Sequence, residues 1–241
     1  MSLNYTYCSP EVASDAGWPV VVYFHRVHPE ANRYTEITPR RFAYALDLLL
    51  DRFEALKLCD LASWNLDAFT RKPSFVITLD DGFADNWVWA VPELEKRGLR
   101  AVFFVVTGKL DEDDSDTARM SWQQLTHLAR AGHLIGAHSV THRSLTELTA
   151  QEIEAEMLVS MARVRKETSV AASLFAYPYG GIPQVFSDLP DYIGFGTVKS
   201  KAQPWTGCKR SIRRTYFPAE QPEAWRTLVD NWRAQWERQS A

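Results

Sequence analysis

Two carboxylates and a glycine, Asp80-Asp81-Gly82, close the uncharged run Phe75-Val76-Ile77-Thr78-Leu79. β-branched and aromatic residues fill that run, so it reads as a buried strand ending in acid. Neighbouring side chains at a strand end point different ways. One carboxylate can therefore hold a cation while the other moves a proton. Taken alone, Asp-Asp-Gly reads sooner as an acidic turn closing a strand. A second group of residues adds chemistry. His138 and His142 follow the apolar stretch Leu134-Ile135-Gly136-Ala137. Imidazoles four residues apart on a helix or turn face one way and can hold one metal through two nitrogens. With Asp81 they make a two-histidine, one-carboxylate set that leaves positions open for water and substrate. Ser139 follows the first histidine where a zinc metalloprotease helix would need glutamate, which argues against that class.

The elements around these residues alternate. Strands are predicted over residues 18–24, 75–79, 100–106, 134–137, 174–177, 194–198 and 211–216. Helices are predicted over 38–53, 83–97, 121–131, 149–166 and 222–238. Thr38 and Ser121 are N-caps, Pro39 takes a first helical position, and Gly98 and Gly132 stop helices. Alternating strands and helices imply parallel strands under helical cover. The expected acid and metal residues all fall at strand ends, where parallel α/β folds place their sites.

At these residues the chain resembles the polysaccharide deacetylase family, carbohydrate esterase family 4. Thr78-Leu79-Asp80-Asp81-Gly82 is similar to its first motif, with Leu79 where phenylalanine is usual. Residues 132–142 are similar to its second, and Phe175-Ala176-Tyr177-Pro178-Tyr179-Gly180 to its third. Tyr23-Phe24-His25-Arg26-Val27 and Thr38-Pro39-Arg40-Arg41-Phe42 resemble the poly-N-acetylglucosamine deacetylase branch, with Phe24 as an extra residue before the histidine. The resemblance implies a single-domain distorted (β/α) barrel, seven-stranded, over residues 17–241 behind an N-terminal extension, 1–16. It implies one divalent metal ion, zinc with cobalt or nickel as alternatives, on Asp81, His138 and His142.

The resemblance also assigns roles. Asp80 is the base, and the backbone N–H of Tyr179 stabilises the oxyanion. No histidine follows His142, so the late acid of most family members cannot exist here. The acid role falls to His25 or, as the alternative, His28. Ala176 stands where many members carry an arginine, and Arg214 is expected to hold Asp80 instead. Trp205, in a Pro- and Gly-rich loop, is the candidate for stacking on a sugar, with Tyr177 as a further substrate contact. The implied activity is removal of an N-acetyl group from an amino sugar in a polysaccharide, oligosaccharide or surface-glycan precursor. The alternatives are a deformylase or amidase on a lipid- or nucleotide-linked sugar, and a catalytically silent carbohydrate-binding homologue.

Composition sets outer bounds. The 241 residues suffice for one large core, and a net charge of -3 argues against nucleic acid as the main partner. A carbohydrate is the expected partner. Three distant cysteines, Cys8, Cys59 and Cys208, give no disulfide framework and read as structural thiols. No signal segment and no apolar run of about 20 residues is visible. The expected location is cytoplasmic for a complete chain, and exported or periplasmic if a signal was removed. The acidic stretch Asp111-Glu112-Asp113-Asp114-Ser115-Asp116 lacks calcium-loop spacing and is expected to be a solvated loop.

Overall fold

Strand alternation and helix cover resolve into a curled parallel sheet in a computed structural model that describes residues 9–110, 118–171, 173–184 and 189–238. The expected acidic loop and Cys8 lie outside the described residues. In chain order the strands are β1 (Val20–Phe24), β2 (Arg26–Val27), β3 (Glu36–Ile37), β4 (Glu54–Ala55), β5 (Ser74–Leu79), β6 (Ala101–Val105), β7 (Leu134–Ala137), β8 (Leu174–Ala176) and β9 (Ile193–Phe195). The helices are α1 (Pro39–Arg52), α2 (Leu58–Ala62), α3 (Leu66–Arg71), α4 (Val91–Glu95), α5 (Trp122–Arg130), α6 (Ala150–Thr168) and α7 (Trp225–Glu237). The main sheet runs β1-β5-β6-β7-β8-β9, all parallel, with β4 alongside the start of β5.

Its two edges are joined by the segment around Ile212 and Thr215. Thr215 N–H donates to Val21 O at 2.8 Å and Thr215 O accepts from Tyr23 N–H at 2.9 Å, while Ile212 N–H donates to Gly194 O at 2.8 Å. This segment, expected as a strand over 211–216, forms only single parallel bridges to β1 and β9. It still closes the sheet into the expected distorted barrel. The short pieces β2, β3, β4, α2 and α3 escape the sequence pattern, because two- to six-residue elements carry too little periodicity.

The period of two divides the core. Val20, Val22, Phe24, Phe75, Ile77 and Leu79 face the helices, while Val21, Val76, Val102 and Phe104 fill the barrel. Thr78 and Asp80 continue the inward face of β5, and Tyr23 that of β1. The β1–β5 register is unbroken from Val20 opposite Phe75 to Phe24 opposite Leu79. Phe24 is therefore an ordinary strand residue that packs on Phe42 and Phe217. It does not shift His25 away from the barrel mouth. Residues 9–13 are part of the same body: Trp232 Nε1 and Thr215 Oγ1 both donate to Pro10 O, and Ala13 is buried.

The helix caps act as expected. Thr38 Oγ1 accepts from Arg41 N–H, and Ser121 forms a capping box with Gln124. The helix expected over 83–97 begins instead with a π-helical turn, Asn86–Ala90, before α4. Pro92 explains the change. It has no N–H to give to the carbonyl of Val88, and its ring would crowd that carbonyl in an α turn.

His133, at the start of β7, is a structural histidine. Its Nδ1 accepts from Ala101 N–H at 3.1 Å, its ring lies against Phe103, and burial pushes its pKa down to about 4. A histidine with a depressed folded pKa stays neutral when folded but takes a proton when unfolded. Its stabilisation is therefore complete above pH 6.5 and is lost as pH falls toward 4. Urea midpoints should show a loss of about 2 kcal/mol between pH 7 and 5 that His133→Leu abolishes. An unchanged slope in the variant would refute the assignment.

Candidate active site

The mouth of the barrel gathers the ends of β1, β5, β7 and β8. At the end of β5 the chain leaves the strand through two left-handed residues, Asp81 at φ 71° and Gly82 at φ 72°. A Cβ on Gly82 would also meet Val105 Cγ1 at 3.0 Å, a tight contact that joins the left-handed backbone in favouring glycine there. The turn sends the two carboxylates apart. Asp80 stays on the inward face of the barrel, and Asp81 swings toward β7.

Asp81 Oδ1 faces His142 Nε2 at 3.2 Å and His138 Nε2 at 3.6 Å. One ligand atom from each of the three residues falls within 4.8 Å of the others, the one such group among the described residues. His138 Nδ1 lies 2.7 Å from the carbonyl of Ala176. That carbonyl can only accept, so the proton sits on Nδ1 and the Nε2 lone pair points to Asp81. Burial lowers the pKa of His138, against the pull of Asp80 and Asp81, and favours the neutral imidazole. Burial alone would raise Asp81, yet the imidazoles of His142, His138 and His25 outweigh it and hold its pKa below the ordinary range. Asp81 Oδ1 is buried without a conventional hydrogen bond. Two imidazole nitrogens and one carboxylate, with a buried oxygen that has no conventional hydrogen bond, fit a divalent cation of the zinc type.

The loop bearing the histidines is held by a residue the sequence did not single out. Glu156 of α6 accepts from the N–H groups of Val140 and Thr141 at 2.8 and 2.9 Å and from Thr141 Oγ1 at 2.6 Å. Burial opposes its charge, but these bonds keep its pKa below the usual carboxylate value. Ser139 Oγ accepts from His142 N–H at 2.9 Å. Ser139 and His142 both have positive φ, a conformation held only because these contacts over-determine it.

Asp80 is almost fully buried and bound by both arms of Arg214. Nη1 meets Oδ1 at 2.7 Å and Nη2 meets Oδ2 at 2.8 Å. Arg214 also donates from Nε to Gly196 O at 2.7 Å and from Nη1 to Thr78 Oγ1 at 3.0 Å. The guanidinium thus arrives from the closing segment, while Ala176 contributes only its carbonyl. Burial would raise Asp80, but Arg214, with His138 and His25, keeps its pKa below the ordinary range. Tyr23 lies in the same corner, its ring 5.1 Å from the Arg214 guanidinium and edge-on to His25 at 5.7 Å. Burial pushes the Tyr23 hydroxyl well above the usual tyrosine range, so it stays protonated. The inward period of β1 could have revealed it.

His25 acts electrostatically on both Asp80 and Asp81, whereas His28 acts on Asp85. His25 directly follows Phe24, whose carbonyl accepts from Asp80 N–H at 2.8 Å, and so stands at the mouth near these carboxylates. Tyr179 has φ 58°, and its exposed ring stands 4.8 Å from that of His142. Two expected substrate contacts are corrected. Trp205 is buried, stacked on Trp64 at 5.8 Å and packed near Trp18 and Phe69. Trp18 lies just before β1, so this aromatic group plugs the end of the barrel opposite the mouth. Tyr177 is also buried, its hydroxyl shared with Tyr192 Oη at 2.9 Å and Arg210 O at 2.8 Å. Neither ring can reach a sugar.

The sequence pattern of one family, polysaccharide deacetylase, matches residues 67–196, more than half of the chain and the stretch that carries all three metal-set residues. The chain belongs to the polysaccharide deacetylase family. Among curated relatives, the peptidoglycan-N-acetylmuramic acid deacetylase PdaA of Bacillus subtilis is 26% identical over 137 residues, 57% of this chain and 46% of that protein. The chain spans less than half the length of the curated relatives it matches. Two solved structures share the fold across nearly the whole chain. The deacetylase PplD of Streptococcus pyogenes, in complex with acetate, gives a TM-score of 0.73 at 19% identity, covering 88% of this chain and 98% of its own. IcaB from Ammonifex degensii gives 0.71 at 22% identity, covering 91% and 98%.

The trio makes a direct prediction about metal content. Protein purified without chelator and measured by elemental analysis should carry one divalent ion per chain, and His142→Ala should lose most of it. Equal metal in the two proteins would refute His142 as a ligand.

Proposed function

We propose that this protein is a metal-dependent N-deacetylase that releases acetate from N-acetylated amino sugars in a glycan or glycan precursor. The observation that carries the reading is the pairing of two differently held carboxylates at one mouth. Asp81 faces two imidazoles, and Asp80 is clamped by Arg214. When bound at Asp81, His138 and His142, a divalent cation supplies Lewis acidity, lowering the pKa of water from 15.7 toward about 7 and polarising an amide carbonyl.

The chain's own residues do the rest. Asp80 is the general base and accepts the proton of the attacking water. Arg214 keeps it ionised and fixes its plane, so its oxygens cannot rotate out of line. A carboxylate held at low pKa is a weak base, which matches a water made acidic. The N–H of Tyr179 donates to the developing oxyanion. His25 protonates the departing sugar nitrogen, because an amine leaves poorly as an anion. The exposed Tyr179 ring, rather than Trp205, offers the face on which a sugar ring can lie. Relatives named for peptidoglycan and chitin deacetylation support a glycan as substrate, and the early histidine supports the poly-N-acetylglucosamine branch. A complete base, clamp and ligand set argues against the silent carbohydrate-binding alternative.

Acetate release from chito-oligosaccharides, with and without added zinc, tests the reading. Zinc-dependent release is expected. His25→Ala should slow that release roughly a hundredfold while changing hydrolysis of 4-nitrophenyl acetate little, since a nitrophenolate needs no proton to leave. Binding of the oligosaccharide without acetate release would favour the silent homologue.

A further inference from the structure

The helix that follows the metal-set aspartate reaches back to the strand end that bears His25. Asn86, the first residue of the π-helical turn, is fully buried. Its Nδ2 donates to the carbonyl of His25 at 2.7 Å, and its Oδ1 accepts from the N–H of Val27 at 3.2 Å. The amide thus uses one donor and one acceptor on the two backbone groups that bracket Arg26, the residue directly after His25. The neighbouring Asp85 adds a second tie, its Oδ2 accepting from Arg26 Nε at 2.6 Å. Two consecutive side chains of one turn therefore grip three consecutive residues of another segment.

From this geometry we infer that Asn86 is the positioning residue for the acid His25, fixing its distance from the metal set. The inference rests on the acid reading of His25. The ladder bonds of β1 stop at Asp80 N–H to Phe24 O at 2.8 Å, and those of β2 to β3 begin only at Arg26 N–H to Thr35 O at 3.3 Å, so the chain is least constrained between them. His25 stands in that gap. Asn86 stands five residues beyond Asp81 on a rigid turn, so its amide links the metal-bearing loop directly to the acid-bearing one. Proton donation is sensitive to displacements of an ångström or less. Asn86 anchors the backbone immediately after the acid, at His25 O and Val27 N–H, while the Asp80 N–H to Phe24 O bond holds it immediately before, and together they remove that freedom. The π turn presents Asn86 at the helix start, and it takes an asparagine because one donor and one acceptor are needed at once.

The test is a double-mutant cycle on the zinc-loaded full chain, with Asn86→Ala, His25→Ala and the pair. Each is assayed on chito-oligosaccharide and on 4-nitrophenyl acetate, with zinc content and urea midpoint measured alongside. Asn86→Ala should slow acetate release from the oligosaccharide by at least about tenfold, change aryl acetate hydrolysis less than about threefold, and keep its zinc. The pair should be no slower on the oligosaccharide than His25→Ala alone. Asn86→Asp, of the same shape, keeps the acceptor for Val27 but loses the amide donor. It should show the same substrate-selective loss to a smaller degree, and it serves if the alanine variant does not fold. Losses that multiply in the pair, or an Asn86 effect equal on both substrates, overturn the inference while leaving His25 as the acid. Equal loss on both substrates in His25→Ala alone overturns the acid reading itself, and the positioning role with it.

Discussion

Asp80→Asn is expected to retain zinc and lose deacetylation roughly a thousandfold. The substitution keeps the size and shape of the side chain and leaves one oxygen for Arg214. It removes the group that can take a proton. Asp81, His138 and His142 are untouched, so elemental analysis should read about one zinc per chain, as in the parent. Asp81→Asn provides the contrast. An amide is a poor ligand, and Asp81 is the sole carboxylate of the trio, so metal and turnover should fall together. The decisive measurement is acetate release at saturating oligosaccharide beside metal content for both variants. Near-normal turnover in zinc-loaded Asp80→Asn would end the base assignment.

The contrast between adjacent aspartates also shows how far the sequence alone could go. An uncharged run ending in two acids announces β5 and its mouth, because burial excludes charge until the strand leaves the core. His138 and His142 fall after a short apolar strand, which gives their position but not the turn that joins them. That turn needs positive φ at Ser139 and His142, and the carboxylate of Glu156 to hold it. No local pattern signals a clamp that comes from another helix. Arg214 could be assigned from the resemblance, yet its fourfold hydrogen bonding depends on barrel closure by residues distant in sequence. Trp205 misleads for a physical reason. Loop composition suggests exposure, but the closed end of a barrel must be filled, and a loop aromatic can fill it. Asn86 is equally silent in sequence, since its partners are backbone groups that any residue supplies.

Arg214→Met should cost both stability and turnover. Methionine approximates the length of the aliphatic stem and removes every donor. Asp80 would then be a buried carboxylate without its paired guanidinium, and Gly196 O and Thr78 Oγ1 would lose their donor. Breaking a buried pair in this way costs about 3–5 kcal/mol, much of it the cost of the charge left behind. That origin can be isolated. If the orphaned charge is the cause, adding Asp80→Asn to Arg214→Met removes it, and the double variant should be more stable than Arg214→Met alone. Urea midpoints of the four proteins measure this directly, and the coupling should exceed about 1 kcal/mol. Turnover should not recover, because the base is gone. Arg214→Lys separates charge from shape: an ammonium restores the counter-charge but cannot bond both carboxylate oxygens in one plane. It should recover much of the stability and little of the activity. A double variant as unstable as the sum of its singles would show that Arg214 acts by packing at the barrel seam, and not by holding the Asp80 charge.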